Sequence, residues 1–202
     1  EAYVEAFRRA ITPATRVIAF SHLTNTVGDL FPAKELCALA RERGLLSVVD
    51  GAQTFGLMDV DLSSMRPHFY SGSAHKWPCG PKEMGVLFVD REVHERFHPS
   101  LLSLYAGSVG ISRTHEGMGQ RDEAAIVAFG EQMDFLMGIG RAEIEARSRA
   151  LADAAIEGLS SLDGVTARLA ARSDELPSLA ADFTAVVTTR RAIFCGINVC
   201  GR

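Results

Sequence analysis

The stretch Leu45-Leu46-Ser47-Val48-Val49-Asp50-Gly51-Ala52-Gln53 decides the fold of this chain. Its first five residues form a short apolar run that predicts a buried strand, and Asp50 ends that run. A similar run occupies residues 16–21, and the residues between the two runs predict a helix that begins near Pro32 and ends at Gly44. Strand, helix and strand over this length form a βαβ unit, so we expect the two strands to be parallel.

The same alternation continues along the chain. Residues 69–73 predict a third strand, and residues 85–89 predict a fourth. The connection between them is too short for a parallel crossover, so the fourth strand is expected to be antiparallel. Two long amphipathic helices are predicted over residues 122–139 and 141–160. The inward side of the second helix is expected to carry Ile144, Leu151, Ala155 and Leu159.

The pattern changes to short strands beyond residue 163, which indicates a second, small α/β domain. We therefore predict an α/β protein in two parts. Residues 1–140 form a portion of a large domain with a mostly parallel sheet and flanking helices, and residues 141–202 form part of the small domain. The first residue is Glu1 rather than Met, so we expect the chain to begin inside a longer protein.

The composition is that of an ordinary globular protein with a hydrophobic core: 47% of the 202 residues are hydrophobic and 23% are charged. The net charge of -4 favours neither a nucleic acid nor an anionic membrane as a partner. No apolar run is long enough to span a membrane, and the N-terminus does not resemble a signal peptide. A cytoplasmic location is therefore expected.

The four cysteines show no CxxC spacing, so neither disulfides nor a metal site is predicted. Four residues separate Cys195 from Cys200, a spacing that half of a metal site could have, but no cluster of histidines or cysteines lies near them in the sequence.

Polar side chains follow the second and third predicted strands. Asp50 and Gln53 follow one strand, and Ser73, His75 and Lys76 follow the next. Ligands of open α/β sheets bind outside the carboxyl ends of the strands, so these side chains are expected to lie near one another. Pyridoxal phosphate (PLP) needs a lysine for its Schiff base and a carboxylate that keeps its pyridine nitrogen protonated. Lys76 and Asp50 suit these two roles.

Each of these residues also has an ordinary structural interpretation. A lone loop lysine is usually solvated, and an aspartate commonly caps a turn. Ser73 can satisfy local backbone groups, and a lone histidine such as His22 is more often structural. Asn25 offers both a donor and an acceptor, which suits a substrate carboxylate or a ring oxygen.

Four motifs in order resemble the successive signatures of the class V aminotransferases. These motifs are Ser21–Gly28, Val49–Gln53, Ser73–Lys76 and Gly85–Phe88. That family comprises fold-type I PLP enzymes and includes aminotransferases, cysteine desulfurases, kynureninases and isopenicillin N epimerase-like proteins. The resemblance covers residues 1 to about 160.

The resemblance implies a role for each matching residue. Lys76 matches the lysine that forms the Schiff base and later moves the proton at the substrate Cα. Asp50 matches the aspartate on the pyridine nitrogen, and Gln53 matches the glutamine near the cofactor's phenolic oxygen. Ser73 and His75 match the phosphate-binding pair.

Other positions match less directly. Asn25 matches an asparagine near the substrate and the ring, and His22 matches a motif residue of less defined role. Gln120 stands where the family has a threonine that reaches a partner subunit's phosphate. The family's N-terminal half and its substrate-binding C-terminal arginine are expected to lie outside this chain, because Arg190 and Arg191 do not fit the arginine's context.

The resemblance implies a PLP-dependent transformation of an amino acid by a homodimer, with amino-group transfer as the first hypothesis. Desulfuration ranks lower, because it needs a cysteine on a mobile loop and Cys79 lies in a Pro-Cys-Gly turn. Epimerase or lyase chemistry uses the same residues and stays open, as does a catalytically inert fragment. An aldolase without PLP leaves Asp50 and Gln53 unexplained. The sequence does not indicate the substrate.

Overall fold

The centre of the fold is a four-stranded sheet in which the strands lie in sequence order. The computed structural model describes residues 1–26, 28–100, 111–116 and 119–161. The strands are β1 (Val17–Ser21), β2 (Leu46–Asp50), β3 (Phe69–Ser73) and β4 (Gly85–Val89). Each lies within one residue of its predicted position, because each apolar run is bounded by turn residues or a helix end.

Six α-helices and one 3₁₀ helix accompany this sheet in the described part of the chain. The helices are α1 (Ala2–Ala10), α2 (Ala33–Glu42), α3 (Leu62–Met65), α4 (Ile111–Glu116), α5 (Glu123–Ile139) and α6 (Arg141–Ser160). The 3₁₀ helix covers Arg91–Arg96 and directly follows β4. The two long helices predicted from the sequence are confirmed as α5 and α6.

The pairing of the strands confirms the predicted topology. β1, β2 and β3 are parallel, with Ser21 opposite Asp50 and Asp50 opposite Ser71. β4 returns antiparallel to β3, so Gly85 lies opposite Ser73. A Cβ at Gly85 would lie 2.6 Å from the backbone oxygen of Gly72, so this tight return requires glycine. The carboxyl ends of three neighbouring strands thus share one edge of the sheet.

The core lies between this sheet and helix α2. Leu36, Cys37 and Ala40 of α2 are fully buried and pack with Ile18 of β1 and Val49 of β2. An aromatic cluster extends this core toward α1. Its rings belong to Tyr3, Phe7, Phe20 and Phe31. Burial of this kind contributes roughly 1.5–3 kcal/mol for each large apolar side chain, which fixes the sheet beneath the loops that follow it.

A buried polar network fastens the 3₁₀ helix to the sheet. His68 Nδ1 accepts from the backbone N–H of Ser47 at 3.0 Å and lies 2.9 Å from the Ser47 hydroxyl. The other ring nitrogen, Nε2, lies 2.8 Å from Glu92 Oε1. Arg41 of α2 pairs with both Glu92 and Asp90. Because Nδ1 must accept from the backbone, the neutral imidazole carries its proton on Nε2 and donates it to Glu92.

Helix α6 contacts the rest of the fold through its first turns. Arg141 Nη1 donates to the carbonyl of Val60 at 3.0 Å, and Glu145 Oε2 accepts the N–H of Asp59 at 2.7 Å. The prediction that Leu151, Ala155 and Leu159 face inward is wrong. All three are exposed, the two leucines by 53% and 51%. Only the start of the helix lies against the described fold, so its later turns have no described surface to cover.

The part of the predicted small domain beyond residue 161 lies outside the described residues, and so do Arg190, Arg191, Cys195 and Cys200. Within residues 1–26, 28–100, 111–116 and 119–161, no helix combines the length and the apolar character needed to cross a lipid bilayer.

Candidate functional site

The loops that follow β1, β2 and β3 begin at a common edge of the sheet. The hydrogen-bonded ladder continues past the strands, because the N–H of His22 donates to the Asp50 carbonyl and the N–H of Gly51 donates to the Ser71 carbonyl, each at 2.8 Å. Asp50 is half-buried at this edge. The backbone therefore holds the predicted Asp50–Gln53 motif next to the chain that leads to Lys76.

The residues after β2 form a tight turn. One carboxylate oxygen of Asp50 accepts the N–H of Ala52 at 2.9 Å, which is the capping role expected of a turn aspartate. The N–H groups of Thr54 and Phe55 both donate to the Gly51 carbonyl, at 2.9 and 2.8 Å. The second Asp50 carboxylate oxygen has no hydrogen-bond partner within the described chain. The turn thus orients a carboxylate and leaves one of its oxygens available.

A buried polar network supports this turn from beneath. The hydroxyl oxygen of Thr54 lies 3.0 Å from the Tyr70 hydroxyl and 3.1 Å from His22 Nδ1, and Thr54 donates to the Gly51 carbonyl at 3.3 Å. Thr54 is fully buried, and His22 and Tyr70 are nearly so. His22 is therefore part of the support beneath the turn, which agrees with its structural interpretation.

Burial governs the protonation of this network. It lowers the pKa of His22 to about 4, although the Glu145 carboxylate acts in the opposite direction, so the imidazole is neutral at pH 7. Burial also raises the pKa of Tyr70 to about 12, and the Asp50 carboxylate adds to that shift. Tyr70 therefore stays a neutral hydrogen-bonding group beneath the turn.

Gly51 is the position where no side chain fits. A Cβ there would lie 2.0 Å from Cζ of Tyr70, far inside the contact distance of two carbon atoms. The ring of Tyr70 thus packs directly under the backbone of the turn. Neither Thr54 nor Tyr70 can be predicted as a site residue from the sequence, because a threonine and a tyrosine near an apolar strand carry no distinctive signal.

Lys76 lies in a second tight turn, after β3. The N–H of Cys79 donates to the Lys76 carbonyl at 2.9 Å, and the N–H of Gly80 donates to the Ala74 carbonyl at 2.7 Å. Pro78 is fully buried. The Lys76 side chain is half-buried, and its amine makes no hydrogen bond or ion pair to any described residue. The turn therefore fixes the backbone at Lys76, while its amine has no partner among the described residues.

A side-chain hydrogen bond joins the two turns. Nε1 of Trp77 donates to Oε1 of Gln53 at 3.0 Å, across 24 positions of sequence. Behind the turns, the ring of Phe129 from α5 lies 3.3 Å from the place a Gly80 Cβ would occupy and packs edge-on against Phe55. The turn that follows Asp50 and the turn that carries Lys76 therefore lie next to each other, as predicted, and a side-chain hydrogen bond joins them.

The remaining predicted residues lie around this pair of turns with varied exposure. Ser73 is half-buried at the end of β3, and His75 and Asn25 are exposed. Gln120 is exposed shortly before α5. None of these four side chains makes a hydrogen bond to Asp50 or Lys76 within the described residues. Their roles toward a ligand therefore stay predictions.

The chemistry of the site fits PLP. Three groups of the two turns have no hydrogen-bond partner within the part of the chain that the structure describes: the Lys76 amine, one Asp50 carboxylate oxygen and the Gln53 amide nitrogen. An amine, an anion and an amide donor are the partners that the aldehyde, the pyridinium nitrogen and the phenolic oxygen of PLP require. Ser73 and His75 add a hydroxyl and an imidazole, which suit a phosphate.

Comparisons with known proteins agree with this chemistry. The family model described as Aminotransferase class-V matches residues 1–191. The isopenicillin N epimerase of Amycolatopsis lactamdurans is 35% identical over 176 residues, which cover 80% of this chain and 44% of that protein. A probable cysteine desulfurase of Mycobacterium leprae is 37% identical over 158 residues, which cover 74% of this chain and 38% of that protein.

Solved structures give the same answer for the fold. A cysteine desulfurase of Thermococcus onnurineus superimposes with a TM-score of 0.65 at 26% identity, over 72% of this chain and 38% of its own. A cysteine desulfurase of Escherichia coli superimposes with a TM-score of 0.70 at 24% identity, over 79% of this chain and 42% of its own. At this identity the likeness supports the fold alone. The chain spans less than half the length of these relatives. It belongs to the class V aminotransferase family, whose members are fold-type I enzymes that use PLP.

Proposed function

We propose that Lys76 and Asp50 bind PLP and that the protein transforms an amino acid with it, by amino-group transfer. One observation carries this proposal. Two turns at the same sheet edge hold the Lys76 amine and one Asp50 carboxylate oxygen, neither of which has a partner among the described residues, and the hydrogen bond between Trp77 and Gln53 joins those turns. Class V membership supports the cofactor, and the residue types support its orientation.

Asp50 and Gln53 hold the aromatic ring of the cofactor in this proposal. The free carboxylate oxygen of Asp50 accepts the N–H of the pyridine ring and keeps that nitrogen protonated. The Gln53 amide donates to the phenolic oxygen. When bound, PLP supplies an electron sink for bonds broken at the substrate Cα.

Lys76 is the proposed base, because its amine has no competing partner in the described chain. It would remove the proton from the substrate Cα and, for amino-group transfer, deliver it to the aldehyde carbon of PLP rather than back to the Cα. Ser73 and His75 bind the phosphate group, and Asn25 lies toward the substrate. Gln120 is proposed to act near the phosphate of a partner subunit in a homodimer.

Epimerisation is a second candidate function. Two isopenicillin N epimerases are 35% and 36% identical to this chain. Epimerisation uses the same base and differs from amino-group transfer in where the proton is returned. It needs no keto acid as amino-group acceptor, which makes the two reactions separable in solution.

Desulfuration is supported by relatives that carry that name, at identities up to 37%. It would require a nucleophilic cysteine that reaches the substrate. Cys79 is exposed and three residues from Lys76, but its N–H is bonded back to the Lys76 carbonyl and its backbone has a φ of 56°. A thiol held in this turn does not suit a mobile nucleophile, so desulfuration ranks below the other two reactions.

The reaction type is tested by incubating the PLP-loaded protein with a panel of L-amino acids. Amino-group transfer predicts repeated turnover only when a keto acid is added, with at most one product molecule per bound PLP without it, and Lys76→Arg removes that turnover. Racemisation without a keto acid supports the epimerase candidate instead, and release of sulfide from cysteine supports a desulfurase. Bound PLP without any of these products would contradict catalysis by this chain.

A further inference from the structure

The hydrogen bond between Trp77 and Gln53 determines which end of the Gln53 carboxamide is free. An indole N–H donates and cannot accept, so the carboxamide must present its oxygen to Nε1 of Trp77. The amide nitrogen of Gln53, with two N–H donors, has no hydrogen-bond partner among the described residues. Among the described residues, the two N–H donors of the Gln53 amide are therefore free, whereas its oxygen is held by Trp77.

The backbones at both ends of this hydrogen bond are held in place. Gln53 lies inside the turn closed by the N–H groups of Thr54 and Phe55 on the Gly51 carbonyl. Trp77 is followed by Pro78, which is fully buried against Gly56: a Cβ at Gly56 would lie 2.6 Å from the proline ring. Because neither turn can shift easily, the orientation of the carboxamide depends on the indole rather than on the backbone.

Trp77 contributes less by hydrophobic burial than its size allows. Its side chain is 48% exposed, beside the half-buried Lys76. About half of the apolar stabilisation available to a tryptophan is therefore not realised. The indole N–H is the part of this side chain with a specific partner, which points to a directional role rather than a packing role.

We propose that Trp77 is a positioning residue for PLP: it holds Gln53 so that the amide N–H groups, and not the carbonyl oxygen, face the anionic phenolic oxygen of the cofactor. This inference rests on the proposed function of the site. Without the indole N–H, the carboxamide is free to rotate and to place its carbonyl dipole against that anion. Trp77 thus acts on the cofactor through Gln53.

The test is a pH titration of the visible absorbance of the PLP-loaded protein. Trp77→Phe keeps an aromatic ring and removes the N–H, whereas Gln53→Glu keeps an acceptor for Trp77 and removes the amide donors. The absorbance reports the protonation of the Schiff base between Lys76 and PLP. Donors that stabilise the anionic phenolic oxygen keep the pKa of this Schiff base low, so the loss of those donors raises it. Trp77→Phe is expected to raise the titration midpoint by about one pH unit. Gln53→Glu is expected to raise it further, because its carboxylate also adds a negative charge beside the anionic oxygen.

Two further variants separate positioning from a merely structural role. The double variant Trp77→Phe/Gln53→Glu is expected to shift the midpoint no more than Gln53→Glu alone, because Trp77 acts through Gln53. Phe135→Leu changes another exposed aromatic side chain, 63% exposed on α5, and is expected to leave the midpoint unchanged. If Trp77→Phe does not fold, Trp77→Leu carries the test, since it also removes the indole N–H that bonds to Gln53.

The outcomes distinguish this inference from the function on which it rests. A wild-type chain that takes up no PLP on Lys76 overturns both. A Trp77→Phe protein that binds PLP on Lys76 with the wild-type midpoint overturns the positioning role alone. The same holds if Trp77→Phe lowers the melting temperature but leaves the midpoint unchanged, because the hydrogen bond would then be structural only.

Discussion

The hydroxyl of Thr54 lies 3.0 Å from the hydroxyl of Tyr70, directly beneath the turn that carries Asp50 and Gln53. This contact joins the end of β2 to β3 in a fully enclosed place, because Thr54 has no exposed surface and Tyr70 only 2%. The turn of the candidate site therefore rests on a polar network inside the protein. A loss of that network is expected to affect the stability of the whole sheet edge.

Thr54→Val is expected to destabilise the protein by about 1–3 kcal/mol. Valine has a similar shape but no hydroxyl, so His22 Nδ1 and the Tyr70 hydroxyl each lose a partner. Urea denaturation measures the change. The matched control is Thr26→Val at an exposed position, expected to change the free energy of unfolding by less than about 0.5 kcal/mol. Equal effects of the two substitutions would contradict the network's role.

The stability of the protein is expected to fall in mild acid through His22. Burial lowers its pKa in the folded state to about 4, whereas the unfolded chain titrates near 6.5. The unfolded state therefore binds the proton more readily as the pH falls. The stabilisation is complete above pH 6.5 and is lost progressively toward pH 4.

The contribution of His22 is isolated by comparison with His22→Gln, which keeps a hydrogen-bonding side chain but does not titrate. Between pH 7 and pH 5, the wild type is expected to lose about 2 kcal/mol more unfolding free energy than this variant. Burial also lowers the pKa of His68, but that residue is present in both proteins, so its effect cancels. Parallel pH profiles of the two proteins would refute the prediction.

His68→Leu is expected to destabilise the protein by about 2–4 kcal/mol, without any change at the candidate site itself. His68 accepts the buried N–H of Ser47 through its side chain, so leucine leaves that N–H without its partner. The Ser47 hydroxyl loses its contact with the imidazole but still accepts the backbone N–H of residue 68. The exposed His98 provides the control, since His98→Leu removes an imidazole that the core does not use. Chemical denaturation that ranks the two variants equally would argue against this fastening of the 3₁₀ helix.

Much of this fold is predictable from the sequence because its strands are short apolar runs with clear ends. The position of β3 and the antiparallel return of β4 follow from such local signals. The proximity of the Asp50 and Lys76 motifs also follows, since parallel strands end at one edge. These features depend on few residues that are close together in the chain.

Other features depend on contacts between distant segments. The Thr54–Tyr70 contact arises only when β3 lies beside β2, and the Trp77–Gln53 bond arises only when two turns face each other. The apolar residues of α6 predict that one face of the helix is covered, yet Leu151 and Leu159 on that face are exposed. Periodicity identifies the apolar residues of a helix, but it does not say which surface will cover them.

The central claim, that Lys76 binds PLP, is tested most directly by reduction with borohydride followed by peptide mass spectrometry. The chain has three lysines, Lys34, Lys76 and Lys82, so each labelling site is resolved and the exposed Lys34 and Lys82 serve as internal controls. The proposed site predicts one PLP adduct, on Lys76, that disappears in Lys76→Arg. Labelling of Lys34 or Lys82 to the same extent, or an unlabelled Lys76, would contradict it.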